Sequence, residues 1–235
     1  MKRSRRYQGA ATLVPPDSQF GIDEAIEKLK GSATAKFDET TEVTLSLGIR
    51  ASQVVVRGTV NLPHGTGKTV RVLAFAKGES VAEAEQAGAD YVGGEDLAKQ
   101  IQEGWFDFDK VVATPDMMPV VGKLGKVLGP RGLMPSPKTG TVTKDVGAVI
   151  GELKRGMVEF RTDRFGVIHT VFGKASFEAS ALKENLLAVI NAVAERKPEE
   201  GLRGRYMKKV SVASTMGPGI VLDSAEVQSI ADAAS

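Results

Sequence analysis

Cysteine is absent from this chain of 235 residues, so disulfides and thiolate metal sites are excluded and a reducing compartment fits the composition. Histidine occurs only twice. His64 and His169 lie far apart, without HExxH spacing or a carboxylate pair beside them, so no metal and no cofactor is expected. No apolar run approaches the length of a membrane span, and the opening MKRSRRYQ is not followed by the apolar stretch of a signal peptide. A cytosolic protein with no membrane partner is the expectation. An excess of one charge is also missing: 31 basic residues against 29 acidic ones leave +2, too little by itself to announce a polyanionic partner. No serine sits in a nucleophile elbow.

One stretch imitates nucleotide chemistry. LPHGTGKT, Leu62 to Thr69, ends in the Gly-Lys-Thr of a phosphate loop, but the position that needs the first glycine holds Leu62. A helix must follow such a loop, whereas VRVLAFA reads as a strand. The stretch is therefore a glycine-rich connector. A nucleotide-dependent enzyme would also need a glycine-rich βα turn, and AFAKGESVAEAE offers one glycine. Asp107 and Asp109, two apart in GWFDFD, would share a strand face as paired acids do. The segment instead reads as a helix end and turn, where aspartates are caps.

What is present is a change of rhythm along the chain. From the connector to about Gly156, strand-like and helix-like segments alternate: Val70–Ala76, Val81–Ala87 stopped by Gly88, Asp90–Val92, a helix carrying Leu97, Ile101 and Trp105, the strand Lys110–Ala113, then helices over Met117–Leu128 and Val146–Lys154. Repeated βα units imply a parallel sheet covered by helices. The flanks differ. Ile22, Ala25, Ile26 and Leu29 make an amphipathic helix ended by Gly31, and Val43, Leu45 and Leu47 alternate as a half-buried strand. Val158–Val171 breaks at DRFG as a hairpin does, and a long helix, Glu178–Arg196, precedes a strand, Met207–Val212. Neither flank has the apolar surface to fold alone, so the two are expected to join as one α+β domain with an antiparallel sheet into which the α/β unit is inserted. Gly65, Gly67 and Gly156 are the expected hinge.

Charge follows this division. Residues 66–157 hold twelve basic and twelve acidic side chains, so the whole net excess lies in the flanks. It gathers at Lys2, Arg3, Arg5 and Arg6 and at Arg203, Arg205, Lys208 and Lys209, the latter within Gly201–Leu222, which has no acid. Such clusters fit a phosphate backbone, or else a solvated tail and strand face. In the insert, GPRGLMPSPKTG holds Arg131 and Lys138 exposed on a stiff loop, which suits a secondary RNA contact and equally a rigid crossover. Lys36, Phe37 and Thr40 precede a strand and Ser214–Gly219 (STMGPG) follows one; a lysine, an aromatic and small hydroxyls are what holds RNA by phosphate, stacking and 2′-OH contacts, with glycine allowing close approach. Taken alone, Phe37 reads as a core residue.

In order and spacing, KFDETTEV, VRGTVNLPHGTGK, GADYVGG, ATPDMM, LGPRGLMPSPKTGTVT, GKASF and STMGPG closely resemble the bacterial L-one family of ribosomal proteins, which belong to the mobile stalk beside the tRNA exit site. The resemblance spans about Phe20 to Ile220. It implies a discontinuous α+β RNA-binding domain, residues 1–65 and 158–235, carrying an inserted Rossmann-like three-layer α/β domain, residues 66–157. It implies a non-enzymatic constituent of the large subunit, a monomer when free, that binds large-subunit ribosomal RNA at the stalk, helps release deacylated exit-site tRNA and represses its own operon mRNA. A free repressor outside the ribosome is the alternative, and an organellar ribosome stays open beside the bacterial cytosol. Carried over by motif, the RNA surface would comprise Lys36, Phe37, Thr40, Glu42, His169, Lys174, Ser176, Thr215, Met216 and Gly217, with Phe37 facing the last loop. GIRASQVVVRG departs from the family by being short and by having Arg50 where an aspartate is common. The tail after Leu222 is longer than usual and reads as disordered or as a loose helix.

Overall fold

The computed structural model describes residues 3–15, 18–51, 54–198 and 200–233. Lys2 of the basic N-terminal cluster, and Ser52 and Gln53 of the short Gly48–Gly58 segment, lie outside them. The chain is a mixed α/β protein that divides into two compact units, Met1–Gly67 with Val158–Ser235, and Lys68–Met157. The first part of the chain forms α1 (Arg5–Thr12), β1 (Gln19–Phe20), α2 (Ile22–Ser32), β2 (Thr40–Ile49) and β3 (Arg57–Asn61). The second unit contains β4 (Val72–Phe75), α3 (Glu79–Gln86), β5 (Tyr91–Gly93), α4 (Glu95–Gln102), β6 (Lys110–Ala113), α5 (Met118–Lys123), α6 (Gly125–Leu128) and α7 (Val146–Arg155). The chain returns through β7 (Met157–Arg161), β8 (Val167–Lys174), α8 (Ala179–Ala194), β9 (Leu202–Ser214), β10 (Ile220–Leu222) and α9 (Ser224–Ala233). No helix among the described residues is long and apolar enough to cross a membrane.

The first unit is organised by a five-stranded sheet in the order β1-β10-β9-β2-β8. Alternation along β2 turns Val43, Leu45 and Leu47 onto a core built with Ile22, Ile26 and Leu29 of α2 and Leu182, Leu186, Val189 and Ile190 of α8. The opposite face is left to Glu42, Thr44 and Ser46. The sheet is not wholly antiparallel as expected: β1 runs parallel to β10. Each of these strands leads directly into a helix packed on the same core, α2 and α9, so both run the same way. Of the two readings of the tail after Leu222, the helix holds for the described residues: it is α9, packed on that core through buried Val227 and Ala231.

Other expectations shift in detail. DRFG does turn the chain, with Asp163 N–H donating to Val167 O at 2.8 Å, but β7 pairs with β3 while β8 pairs with β2. The strands part because Thr162 is bonded to Val56, whose N–H donates to its hydroxyl at 3.1 Å, and the ring of buried Phe160 fills the space beside Gly58. Gly31 does not end α2, which runs on to Ser32, whose hydroxyl donates to Leu29 O at 2.9 Å. The helix expected over Met117–Leu128 is a 3₁₀ turn, Pro115–Met117, followed by α5, which Pro119 opens in its first turn, and by α6, the break between the two lying at Leu124 amid Gly122 and Gly125, which disfavour a helix.

In the second unit β5-β4-β6 form a parallel sheet with helices on both faces. Leu73, Phe75, Val111 and Ala113 meet α4, α5 and α6, whereas Val72, Ala74 and Val112 meet α3 and α7. Trp105 lies beyond α4, edge-on to Tyr91 at 4.7 Å. Asp107 and Asp109 are neither caps nor a catalytic pair. Asp109 accepts from Lys68 Nζ at 2.7 Å and from the backbone N–H and Nε of Arg71 at 3.2 Å, and Asp107 pairs with Arg71. The Lys68 bond, against the opposing effect of burial, and the Arg71 bonds push the Asp109 carboxyl down to about 2. These ion pairs fasten the chain entering β4 to the chain entering β6.

The connector belongs to the first unit as far as Gly67. Asn185, fully buried in α8, accepts from His64 N–H at 3.0 Å and donates to Gly65 O at 3.0 Å and Phe172 O at 2.9 Å. Gly65 and Gly67 have φ of 68° and 70°, and a Cβ on Gly67 would stand 2.7 Å from Lys174 Cγ and 2.9 Å from the Phe177 ring. Asn185→Leu orphans three backbone groups, so we predict a loss of about 2 kcal/mol or more in urea unfolding, with the connector His64–Gly67 becoming open to protease. Wild-type stability in this variant would show that the connector is not held through Asn185.

Candidate nucleic-acid interface

Sheet register decides which of the sequence-derived residues meet. Thr40 opens β2 opposite Lys174 at the end of β8, and Thr41 lies opposite Ser214 at the end of β9. Three loops therefore leave the sheet at one end: residues 33–39, 175–178 and 215–219. Lys36, Phe37, Thr40, Lys174, Ser176, Thr215, Met216 and Gly217 all lie there. Glu42 and His169 stand further in on the uncovered face, where Thr44 Oγ1 and His169 Nδ1 are 3.2 Å apart. Arg131 and Lys138 belong to the second unit. Both are exposed, Arg131 with its guanidinium 3.7 Å from the centre of the Phe106 ring.

Phe37 is not a core residue. It is 55% exposed and Met216 is 47% exposed, so an aromatic ring and a thioether are presented to solvent beside Lys36. What holds this rim is Glu39, which is only 1% exposed. One carboxylate oxygen accepts from Ala35 N–H at 2.9 Å; the other accepts from the Ser214 hydroxyl at 2.8 Å and Met216 N–H at 2.9 Å. Burial acts to raise the Glu39 carboxyl, but the Ala35 and Met216 N–H groups, the Ser214 hydroxyl and the Arg6 charge outweigh it and hold it below the usual glutamate range. Arg6 reaches from α1 to tie the same loops, donating to Thr34 Oγ1 at 3.3 Å and to Met216 O at 3.2 Å. Asp38 fastens the third loop, accepting from Ser176 N–H at 3.1 Å and from its hydroxyl at 2.8 Å.

These bonds change the roles expected of several residues. The Thr215 hydroxyl accepts from Thr40 N–H at 3.0 Å and donates to Thr40 O at 3.2 Å, so it is committed within the chain. Gly217 is required by internal packing, since a Cβ there would collide with Ser214 Oγ and lie 3.2 Å from Ser32 Oγ. Lys174 is half-buried with Nζ 2.8 Å from Thr40 Oγ1. Sequence reasoning passed over Glu39 and Asp38 and saw Arg6 only as one member of a basic run. Residues 39, 41, 43 and 45 share one strand phase and the last three are buried, but exposed Phe37 falls in the same phase, so alternation alone does not single out Glu39. Among the described residues no group of three or more acidic, histidine or cysteine side chains is placed to hold a metal.

Residues 29–218 match the Ribosomal protein L1p/L10e family. The Large ribosomal subunit protein uL1 of Fervidobacterium nodosum is 56% identical over 225 residues, which covers 94% of this chain and 95% of that protein. Its counterpart in Thermobifida fusca is 51% identical over 236 residues, covering 100% of each chain. That of Cutibacterium acnes is 52% identical, covering 95% of this chain and 97% of the other. The chain belongs to this family and is a structural protein of the large ribosomal subunit, not an enzyme.

Because the Glu39 carboxyl is depressed in the folded state, its contribution is full above the unfolded carboxyl range and is lost as pH falls through its lower folded value. Glu39→Gln leaves at least one loop N–H or hydroxyl without its charged acceptor, so a loss of about 1–3 kcal/mol at neutral pH is expected. The gap to wild type should narrow as pH falls below about 4. Thermal melts across pH decide it: a gap constant with pH would mean that the carboxylate charge is not what binds the loops.

Proposed function

We propose that the rim formed by residues 33–39, 175–178 and 215–219 is the surface that grips large-subunit ribosomal RNA at the mobile stalk beside the tRNA exit site. The carrying observation is the fixed exposure of Lys36, Phe37 and Met216 on loops tied together by one buried carboxylate. An exposed ring offers a face to an unstacked base, the lysine a phosphate contact, and the thioether an adaptable apolar contact. Glu42 and His169 extend the surface inward as polar contacts to ribose and base edges. Thr40, Lys174, Ser176, Thr215 and Gly217 serve it chiefly by holding the loops in register. Prepositioned loops bind with less ordering cost than mobile ones.

From this anchor the protein assists release of deacylated exit-site tRNA, the second unit adding Arg131 and Lys138 as secondary RNA contacts. The chain crosses between the units at Gly67–Lys68 and Met157–Val158. The pivot is assigned there, after Gly67 and at Gly156, whose φ of 115° favours glycine. The same rim serves a similar structure in the protein's own operon mRNA, which would make the free protein, a cytoplasmic monomer, a repressor of its own synthesis. Full-length likeness to large-subunit proteins favours the ribosomal role over that of a repressor alone.

The test is binding to a stalk fragment of the ribosomal RNA and to an unrelated duplex at several salt concentrations, together with sedimentation on large subunits. Phe37→Ala should weaken the stalk RNA by about 1–3 kcal/mol without changing the salt slope. Lys36→Gln should lower the slope by about one. Thr215→Val should lose stability and affinity together, through Thr40. If Phe37→Ala and Lys36→Gln protein bound both RNAs and sedimented as wild type does, the RNA surface would lie elsewhere.

A further inference from the structure

The opposite end of the five-stranded sheet carries a second concentration of unused chemistry. β2 runs from the rim at Thr40 to Ile49, so the far end is where β2 stops and where β8 and β9 begin. Leu47 N–H donates to Gly166 O at 2.9 Å and Arg50 N–H to Gly201 O at 2.9 Å, while Ile49 pairs with Leu202. The DRFG turn and the start of β9 thus flank one strand end. Along β9 the pairing with β2 is irregular between Leu47 and Ile49, and a Cβ on Gly48 would collide with Arg205 O. That irregularity sets Arg203 and Arg205 both outward, into solvent.

Phe165 is 70% exposed at the tip of the turn, and the Arg164 guanidinium lies 4.8 Å from the centre of its ring. A large apolar ring so placed contributes little to the fold. The turn itself is stiff: Asp163 Oδ1 accepts from Phe165 N–H and Val167 N–H, both at 2.8 Å, and Gly166 N–H donates to Asp163 O at 3.2 Å. The acid of the turn is therefore occupied by backbone. Arg50, Arg164, Arg203 and Arg205 are exposed, and none is in an ion pair among the described residues.

We propose that this end of the sheet is a second RNA surface, which holds unpaired nucleotides by stacking a base on Phe165 and setting phosphates against Arg50, Arg164, Arg203 and Arg205. It rests on the reading of the protein as an RNA binder but not on the rim as the site. Duplex RNA offers no base face to a protruding ring, so the partner is unpaired. An acidic polypeptide would match the arginines but gain nothing from an exposed ring backed by a cation.

Binding of wild type, Phe165→Ala and Arg164→Gln/Arg203→Gln is measured against a short uridine oligonucleotide and against transcribed large-subunit ribosomal RNA, with Lys36→Gln as the rim control. Phe165→Ala should weaken the oligonucleotide about tenfold at unchanged salt slope and unchanged melting temperature. The double variant should lower the slope by about two. Lys36→Gln should leave the oligonucleotide unaffected. Wild-type affinity of Phe165→Ala for the oligonucleotide, or displacement of the oligonucleotide by poly-glutamate as readily as by unlabelled RNA, would overturn the surface. Protein that binds the ribosomal RNA but not the oligonucleotide removes this surface and leaves the rim; the reverse removes the rim and leaves this one.

Discussion

A carboxylate almost shut off from water must be satisfied by the chain around it, and Glu39 is satisfied by donors from two loops that are far apart in sequence. That requirement arranges the rest of the rim. Ser214 has to point inward, which forbids a Cβ on Gly217; Met216 has to offer its N–H, which leaves its thioether facing out; Ala35 has to turn toward the carboxylate, which sends Lys36 and Phe37 away from it. Arg6 closes the same arrangement from the N-terminal helix by donating to both loops. The exposed chemistry is a consequence of the buried one.

The same economy of polar groups recurs at the connector. Asn185 on α8 satisfies His64, Gly65 and Phe172 at once, so the glycine-rich stretch that imitates a phosphate loop is part of the first unit's packing. In the second unit the aspartates that looked like caps or a catalytic pair are answered by Lys68 and Arg71. In each case a motif suggestive of chemistry is consumed by structure, and the side chains left for a partner are those that no internal group has claimed.

Those unclaimed side chains sit at the two ends of one sheet. At one end lie Lys36, Phe37 and Met216, at the other Arg164, Phe165, Arg203 and Arg205, with Glu42, Thr44, Ser46 and His169 on the uncovered face between them. A net charge of +2 conceals this distribution, because the second unit contributes equal numbers of both signs. Covering one face with α2, α8 and α9 leaves Glu42, Thr44 and Ser46 of β2 on the other face, outside the core.

Periodicity in the sequence was enough to separate the βα insert from its flanks and to find the amphipathic helix α2 and the strand β2, since 3.6- and 2-residue repeats of apolar side chains are local properties. Ordered motifs were enough to reach the family. What local pattern did not reveal was pairing: that β7 leaves β8 for β3, that β1 lies parallel to β10, and that the helix of the tail, α9, packs on the core. Nor did it show that Phe37 is outside and Glu39 inside, because two residues apart they fall in the same alternation phase, which would set both on one face. These outcomes depend on which distant segments supply partners for a strand edge, a buried carboxylate or an amide. Period and composition are written along the chain, but the satisfaction of buried polar groups is settled between segments that only the tertiary structure brings together.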